Sequence, residues 1–293
     1  MSSPSVTGDV EPGPGFADRF AKARAVHGPL TFGLDPSGAL LREWSLGDSS
    51  DGLERFVDIA VEAAAGAVAV VKPQSAFYER HGWQGVRSLA RLVAECRDAG
   101  LLVLLDAKRG DVGSTNEAYA EAYFGPGAGI PADALTVTPY LGLEAMRSIF
   151  DRAAGAGSGV FVVTRSSNPE GRTVQEARVG GGESVEGWLR GALAAENRRL
   201  APETGTVGPI GAVFGPTHEP PDGLDLAGMN GLFLAPGVGA QGATLADVAR
   251  CFAACPDRVL PAASRSLLAA GPDVKALRDG LAAAGADARA ALG

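Results

Sequence analysis

Short apolar, β-branched runs recur along the chain. Each is closed by polar, Gly or Pro residues and followed by a stretch of helical periodicity, and this alternation restricts the fold more than any other feature. Eight such units can be counted, with strands expected at 30–34, 67–71, 101–105, 134–137, 160–163, 210–214, 231–234 and 258–261. Helices are expected between and after them at 51–65, 83–99, 115–123, 143–153, 184–200, 220–228, 244–254 and 272–284. Strands alternating with helices imply an α/β chain, a parallel sheet with helices packed outside it. Eight units close most simply into a (β/α)₈ barrel of the TIM type, a single domain over 16–293 after a loose Ser, Pro and Gly-rich tail at 1–15. A doubly wound open sheet is the alternative, but no GxGxxG follows a strand with an acidic residue at the spacing that dinucleotide binding needs.

The charge balance narrows the partners. A net charge of −8 and a pI near 5.0 oppose a broad nucleic-acid footprint, so any anion must be held by a few placed groups. No apolar run reaches the roughly 18 residues of a membrane span, and the N-terminus lacks the basic start and apolar core of a secretory signal. Cys96, Cys251 and Cys255 form no CxxC pair, which fits core packing in a reducing cytoplasm. His27, His81 and His218 lie in no recognisable nucleophile or metal pattern.

The chemistry gathers where the strands end. The third apolar run leads directly into Asp106-Ala107-Lys108-Arg109-Gly110-Asp111. Side chains alternate along a strand, so Asp106 and Lys108 are expected on one face, with Gly110 turning the backbone to bring Asp111 near. Asp35 follows the first strand and Lys72 the second. In a barrel the strand ends converge on one rim, and the alternating charges of Lys72, Asp106, Lys108 and Asp111 then form a network whose members keep one another ionised. After the seventh strand comes Pro236-Gly237-Val238-Gly239-Ala240-Gln241-Gly242, and after the eighth Ala263-Ser264-Arg265-Ser266. These two loops commonly hold phosphate in such barrels, through backbone N–H groups and a bidentate arginine. The connection over 165–182 is longer than an ordinary βα loop and rich in glycine, as a lid would be.

Together, Asp35, Lys72, Asp106-x-Lys108-x-x-Asp111, Pro236-Gly237-x-Gly239-x-Gln241-Gly242 and Ser264-Arg265 resemble the orotidine 5′-phosphate decarboxylases, in the subgroup that carries Asp-Ala-Lys-Arg-Gly-Asp. The resemblance implies a cytoplasmic homodimer of barrels that converts orotidine 5′-phosphate to UMP and CO₂ in de novo pyrimidine biosynthesis, with no metal and no cofactor. It implies that Lys108 protonates C6 as CO₂ leaves, that Asp106 faces the substrate carboxylate, and that Lys72 links Asp106 to the ribose hydroxyls, one of which Asp35 binds. It further implies that Asp111 and Thr115 reach into the neighbouring subunit's site. Ser167 would read the pyrimidine edge, Gln241 would bridge base and phosphate, and the Ser264 N–H and Arg265 would hold the phosphate.

Two departures stand out. The helix expected at Thr244 follows Gln241-Gly242 almost at once, leaving a short phosphate loop, and Ser264 stands where the family usually has glycine. The Asp-x-Lys-x-x-Asp core also occurs in related barrels. A metal-dependent decarboxylase or aldolase of keto-sugar phosphates is therefore one alternative, and a non-catalytic nucleotide-binding barrel is another.

Overall fold

The computed structural model describes residues 13–217, 225–239 and 242–293. Eight parallel strands, β1 (Thr31–Leu34), β2 (Val70–Pro73), β3 (Leu102–Arg109), β4 (Ala134–Val137), β5 (Gly159–Arg165), β6 (Ile210–Phe214), β7 (Phe233–Ala235) and β8 (Val259–Ala263), pair in sequence order, and β8 closes on β1. All eight expected strands are present, displaced at their ends by a few residues.

Strand alternation divides the apolar residues into two cores. Val70, Leu102, Leu104, Ala134, Phe161, Val213, Leu234, Leu260 and Ala262 fill the barrel interior. Their neighbours Val71, Val103, Leu105, Leu135, Val160, Val162, Phe214, Phe233 and Val259 face the helices instead. Both faces of each strand are therefore dry, which is why the strands read as continuous apolar runs rather than as alternating ones.

The helices Ser50–Ala64, Gly82–Asp98, Gly113–Tyr123, Arg147–Gly155, Val185–Leu200, Leu245–Cys251 and Val274–Leu292 occupy the expected connections. Several starts are fixed by capping side chains, with Ser49 accepting from Gly52 N–H, Ser184 from Gly187 N–H, and Thr244 sharing a capping box with Asp247. The helix expected at 220–228 lies partly outside the described residues, and its end, Ala227–Met229, is a 3₁₀ turn. The final helix runs eight residues past the expected 284, to Leu292, because Leu281, Ala288 and Leu292 continue its buried stripe.

One long helix has no counterpart among the expected elements. Phe16–His27 plugs the end of the barrel where the strands begin. Phe16, Ala17 and Phe20 enter the interior core, and Phe16 packs edge-on against Phe161 at 5.9 Å. Arg19 pairs with Asp133, whose other carboxylate oxygen accepts the Val103 N–H at 2.8 Å. Most of the expected tail, residues 1–12, lies outside the described residues.

Candidate active site

Above the apolar layers of the interior, towards the strands' C-terminal ends, the inward side chains become polar. Lys72 of β2 places Nζ 3.1 Å from Asp106 Oδ2 and 4.0 Å from Asp35 Oδ1, just past β1. Lys108 places Nζ 2.6 Å from Asp106 Oδ1. Asp106 is therefore a buried carboxylate with an ammonium on each oxygen, and a third donor, the Thr136 hydroxyl of β4, reaches Oδ1 at 2.8 Å. The two lysines differ in access. The Lys72 side chain is 9% exposed and that of Lys108 is 50% exposed, so Lys108 faces the open rim.

Asp106 and Lys108 share a side by a less regular route than simple alternation. The β3–β4 register shifts between Leu105 and Arg109, and within that bulge Lys108 is left-handed, with φ of +46°. A non-glycine residue there carries about 1–3 kcal/mol of strain, which the surrounding structure must impose. The surroundings are specific. The Lys108 N–H donates to Thr136 Oγ1 at 3.0 Å, and Gly110 packs so closely that a Cβ would lie 2.3 Å from the Thr138 carbonyl.

The electrostatics follow from these contacts. Burial pushes the Asp106 carboxyl up, but the charges of Lys72 and Lys108 and the hydrogen bonds from Lys108 and Thr136 outweigh it and hold the group well below the usual carboxylate range. Burial likewise opposes the Lys72 ammonium, and Asp106 with Asp35 more than restores it, leaving Lys72 above its ordinary value. Each carboxylate in the cluster thus already faces a lysine, and the array is charge-compensated from within the chain.

The chain matches the model of the "Orotidine 5'-phosphate decarboxylase / HUMPS family" over residues 28–279. It belongs to this family. A Salinispora arenicola protein named orotidine 5′-phosphate decarboxylase is 50% identical over 278 residues, which is 94% of this chain and 98% of its own length. A Streptomyces coelicolor protein of the same name is 50% identical over 263 residues, covering 90% of this chain and 93% of that one. A crystal structure of a Streptomyces avermitilis protein assigned to the same enzyme superposes with a TM-score of 0.90 at 46% identity, covering 96% of this chain and 97% of that one.

The other residues expected to act at the site lie in or just past the loops that follow the strands, where they are described. Asp111 makes no ion pair among the described residues, and its Oδ1 accepts the Val112 N–H at 2.8 Å. Thr115 is exposed on the first turn of Gly113–Tyr123. Ser167 lies half-buried past β5, its carbonyl accepting from the Thr217 hydroxyl at 3.0 Å. Ser264 and Arg265 open the short helix Arg265–Leu268 after β8. Ser264 fits in place of a glycine because Gly33 opposite has no side chain; a Cβ there would sit 2.5 Å from Ser264 Cβ. Gln241 lies outside the described residues.

The described part of the glycine loop after β7 is held by its own hydrogen bonds. Gly237, Gly239 and Gly242 all have positive φ, and the Gly239 and Gly242 N–H groups donate within the loop, to Ala243 O at 2.8 Å and to Gly239 O at 3.0 Å. Their positive φ supplies the turn geometry of the loop. Gly239 also lies against Ser266, which brings the β7 and β8 loops together.

Two features escaped sequence reasoning. Thr136 is an inward residue on β4, and the signal for it was the alternation from Ala134, which points the hydroxyl at the level of Asp106. The other is a buried ion pair, Arg165 to Glu186, with contacts of 2.7 and 2.8 Å, which ties the end of β5 to the helix Val185–Leu200. It anchors both ends of the long connection. Within that connection Gln175 clasps Ser166, accepting from its N–H at 3.1 Å and donating to its hydroxyl at 2.9 Å.

Proposed function

We propose that this barrel decarboxylates orotidine 5′-phosphate to UMP and CO₂ in de novo pyrimidine biosynthesis, with Lys108 delivering the proton to C6 and without metal or cofactor. The observation that carries the reading is the Lys72–Asp106–Lys108 array, in which a rim-facing ammonium is held 2.6 Å from a buried carboxylate. Loss of CO₂ leaves an electron pair on C6 that the pyrimidine ring delocalises poorly, so the reaction needs a fixed cation beside that carbon. At about 4 Å and an effective dielectric of about 20, one such pair is worth roughly 4 kcal/mol, or about three orders of magnitude in rate. The same ammonium then gives C6 its proton. Asp106, kept anionic by its three donors, orients Lys108 and faces the departing carboxylate.

Asp35 suits the sugar, because its buried Oδ1 accepts no hydrogen bond among the described residues and can receive one from a ribose hydroxyl. Lys72, between Asp35 and Asp106, joins the sugar side to the reacting side. Arg265 and the Ser264 N–H take the phosphate, with Gln241 between phosphate and base and Ser167 at the pyrimidine edge. Binding energy from the phosphate, far from C6, is then available to order the charge array.

The reading extends to a cytoplasmic homodimer in which Asp111 and Thr115 complete the partner's site. The loops after β3 and β4 support it, since they adjoin through Gly110 and Thr138 and leave Val112, Tyr140 and Leu141 53%, 81% and 55% exposed. Among the described residues, no helix is long and apolar enough to cross a membrane.

The test is ultraviolet monitoring of orotidine 5′-phosphate with EDTA present. Wild type should form UMP, and Lys108→Ala should lose at least about 10³-fold in kcat, since both the fixed charge and the proton donor are removed. No conversion by folded wild type would end the decarboxylase reading.

A further inference from the structure

Alternation along β4 sends Leu135 and Val137 outward to the helices and Ala134 inward to the apolar barrel core. Thr136 shares the inward face one level higher and is fully buried. A valine would fill that place with the same shape, so the hydroxyl calls for an explanation in terms of what it bonds. It bonds two groups of the site at once, the Lys108 N–H at 3.0 Å and Asp106 Oδ1 at 2.8 Å.

The direction of each bond is forced. A backbone N–H only donates, so Thr136 Oγ1 must accept from Lys108, and its single proton is left to go to the carboxylate. The acceptor site matters because Lys108 sits in the β3 bulge, where the shifted register runs from Leu105 directly to Arg109 in its pairing with β4. The Thr136 side chain takes the N–H that the strand ladder leaves over. Lys108 has φ of +46° there, and this backbone turn is what swings Nζ back to within 2.6 Å of Asp106 Oδ1. One hydroxyl therefore pins the backbone that aims the ammonium and the carboxylate that receives it.

We infer that Thr136 is a positioning residue for the decarboxylation, coupling the Asp106 carboxylate to the Lys108 backbone so that the Lys108 ammonium is held where C6 is protonated. The inference rests on the function proposed above. Thr136 lies beneath Lys108 and touches it through the backbone, so its loss should disturb the chemical step more than substrate binding.

Steady-state kinetics on the full-length protein with orotidine 5′-phosphate, for wild type, Thr136→Val and Thr136→Ser, test it. Thr136→Val keeps the shape and removes the hydroxyl; kcat should fall about 10- to 100-fold, the scale of a small misplacement of a reacting group, with KM changed less than about threefold. Thr136→Ser restores the hydroxyl and should bring kcat back to within about threefold of wild type. A folded Thr136→Val with wild-type kcat overturns the inference, as does a rise in KM alone. Equal losses in the Val and Ser variants overturn it too, because they would trace the effect to packing. Should Thr136→Val fail to fold, Thr136→Ala against Thr136→Ser makes the same comparison. Wild type that leaves the substrate untouched would instead sink the functional reading, and the inference with it.

Discussion

Asp106 shows how a single residue ties stability to function. Its carboxylate is held below the ordinary range, so above that range both folded and unfolded chains are ionised and the native ion pairs contribute in full. As pH falls through about 4, the unfolded chain takes up a proton that the folded state refuses, and this contribution is lost. Urea unfolding at several pH values should therefore show Asp106→Asn about 3–5 kcal/mol less stable than wild type at neutral pH, because two ammonium groups are left facing each other without their anion. That gap should narrow as the medium is made more acid. A gap that stays constant down to pH 3 would mean the ion pairs contribute nothing to folding.

Among the elements, the β5 connection depends on its anchor more than on its length. Arg165 and Glu186 are 4% and 1% exposed, and the guanidinium stacks 5.1 Å from the centre of the Phe214 ring. Removing one member leaves the other charged and buried, so Glu186→Ala should lose about 3–5 kcal/mol of stability in denaturant titration. It should also free the connection, and proteolysis within 166–184 should accelerate. A variant as stable and as resistant as wild type would show that the loop is held by Gln175 and its neighbours instead. The glycines of the β7 loop teach a related lesson. A Gly-rich stretch after a strand reads equally well as a phosphate cradle or as turn chemistry, and the bonds of the Gly239 and Gly242 N–H groups show the turn that only the folded loop reveals.

For the whole molecule, the central question is whether one barrel carries a whole site. Asp111 spends its carboxylate on the Val112 N–H, while the lysine it was expected to join is satisfied by Asp106. If Asp111 serves a partner, mixing Lys108→Ala with Asp111→Ala subunits under exchanging conditions should restore up to about a quarter of wild-type activity, since half the dimers are mixed and each has one complete site. Mixtures as inactive as their components would place Asp111 in its own subunit's site. The N-terminal plug belongs to this scale as well. Phe16 and Phe20 close the barrel floor, and the Arg19–Asp133 pair fastens the helix to the base of β3 and β4.

The barrel and most of the rim are legible in short stretches of the chain. Continuous apolar runs in the strands and a helical period between them are local properties, and each is written in consecutive residues. The order of Asp35, Lys72, Asp106, Lys108 and Arg265 along the chain puts them at the ends of the first, second, third and eighth strands. The rest depends on contacts between distant parts of the chain. The left-handed turn at Lys108 is a property of how β3 pairs with β4, and Thr136 meets Asp106 across 30 residues of chain. The plug helix buries only Phe16, Ala17 and Phe20, too narrow a stripe to announce itself before there is a barrel end to fill. Local period fixes which way a side chain points; which partner it finds there depends on strand register, and register is settled only when the sheet closes.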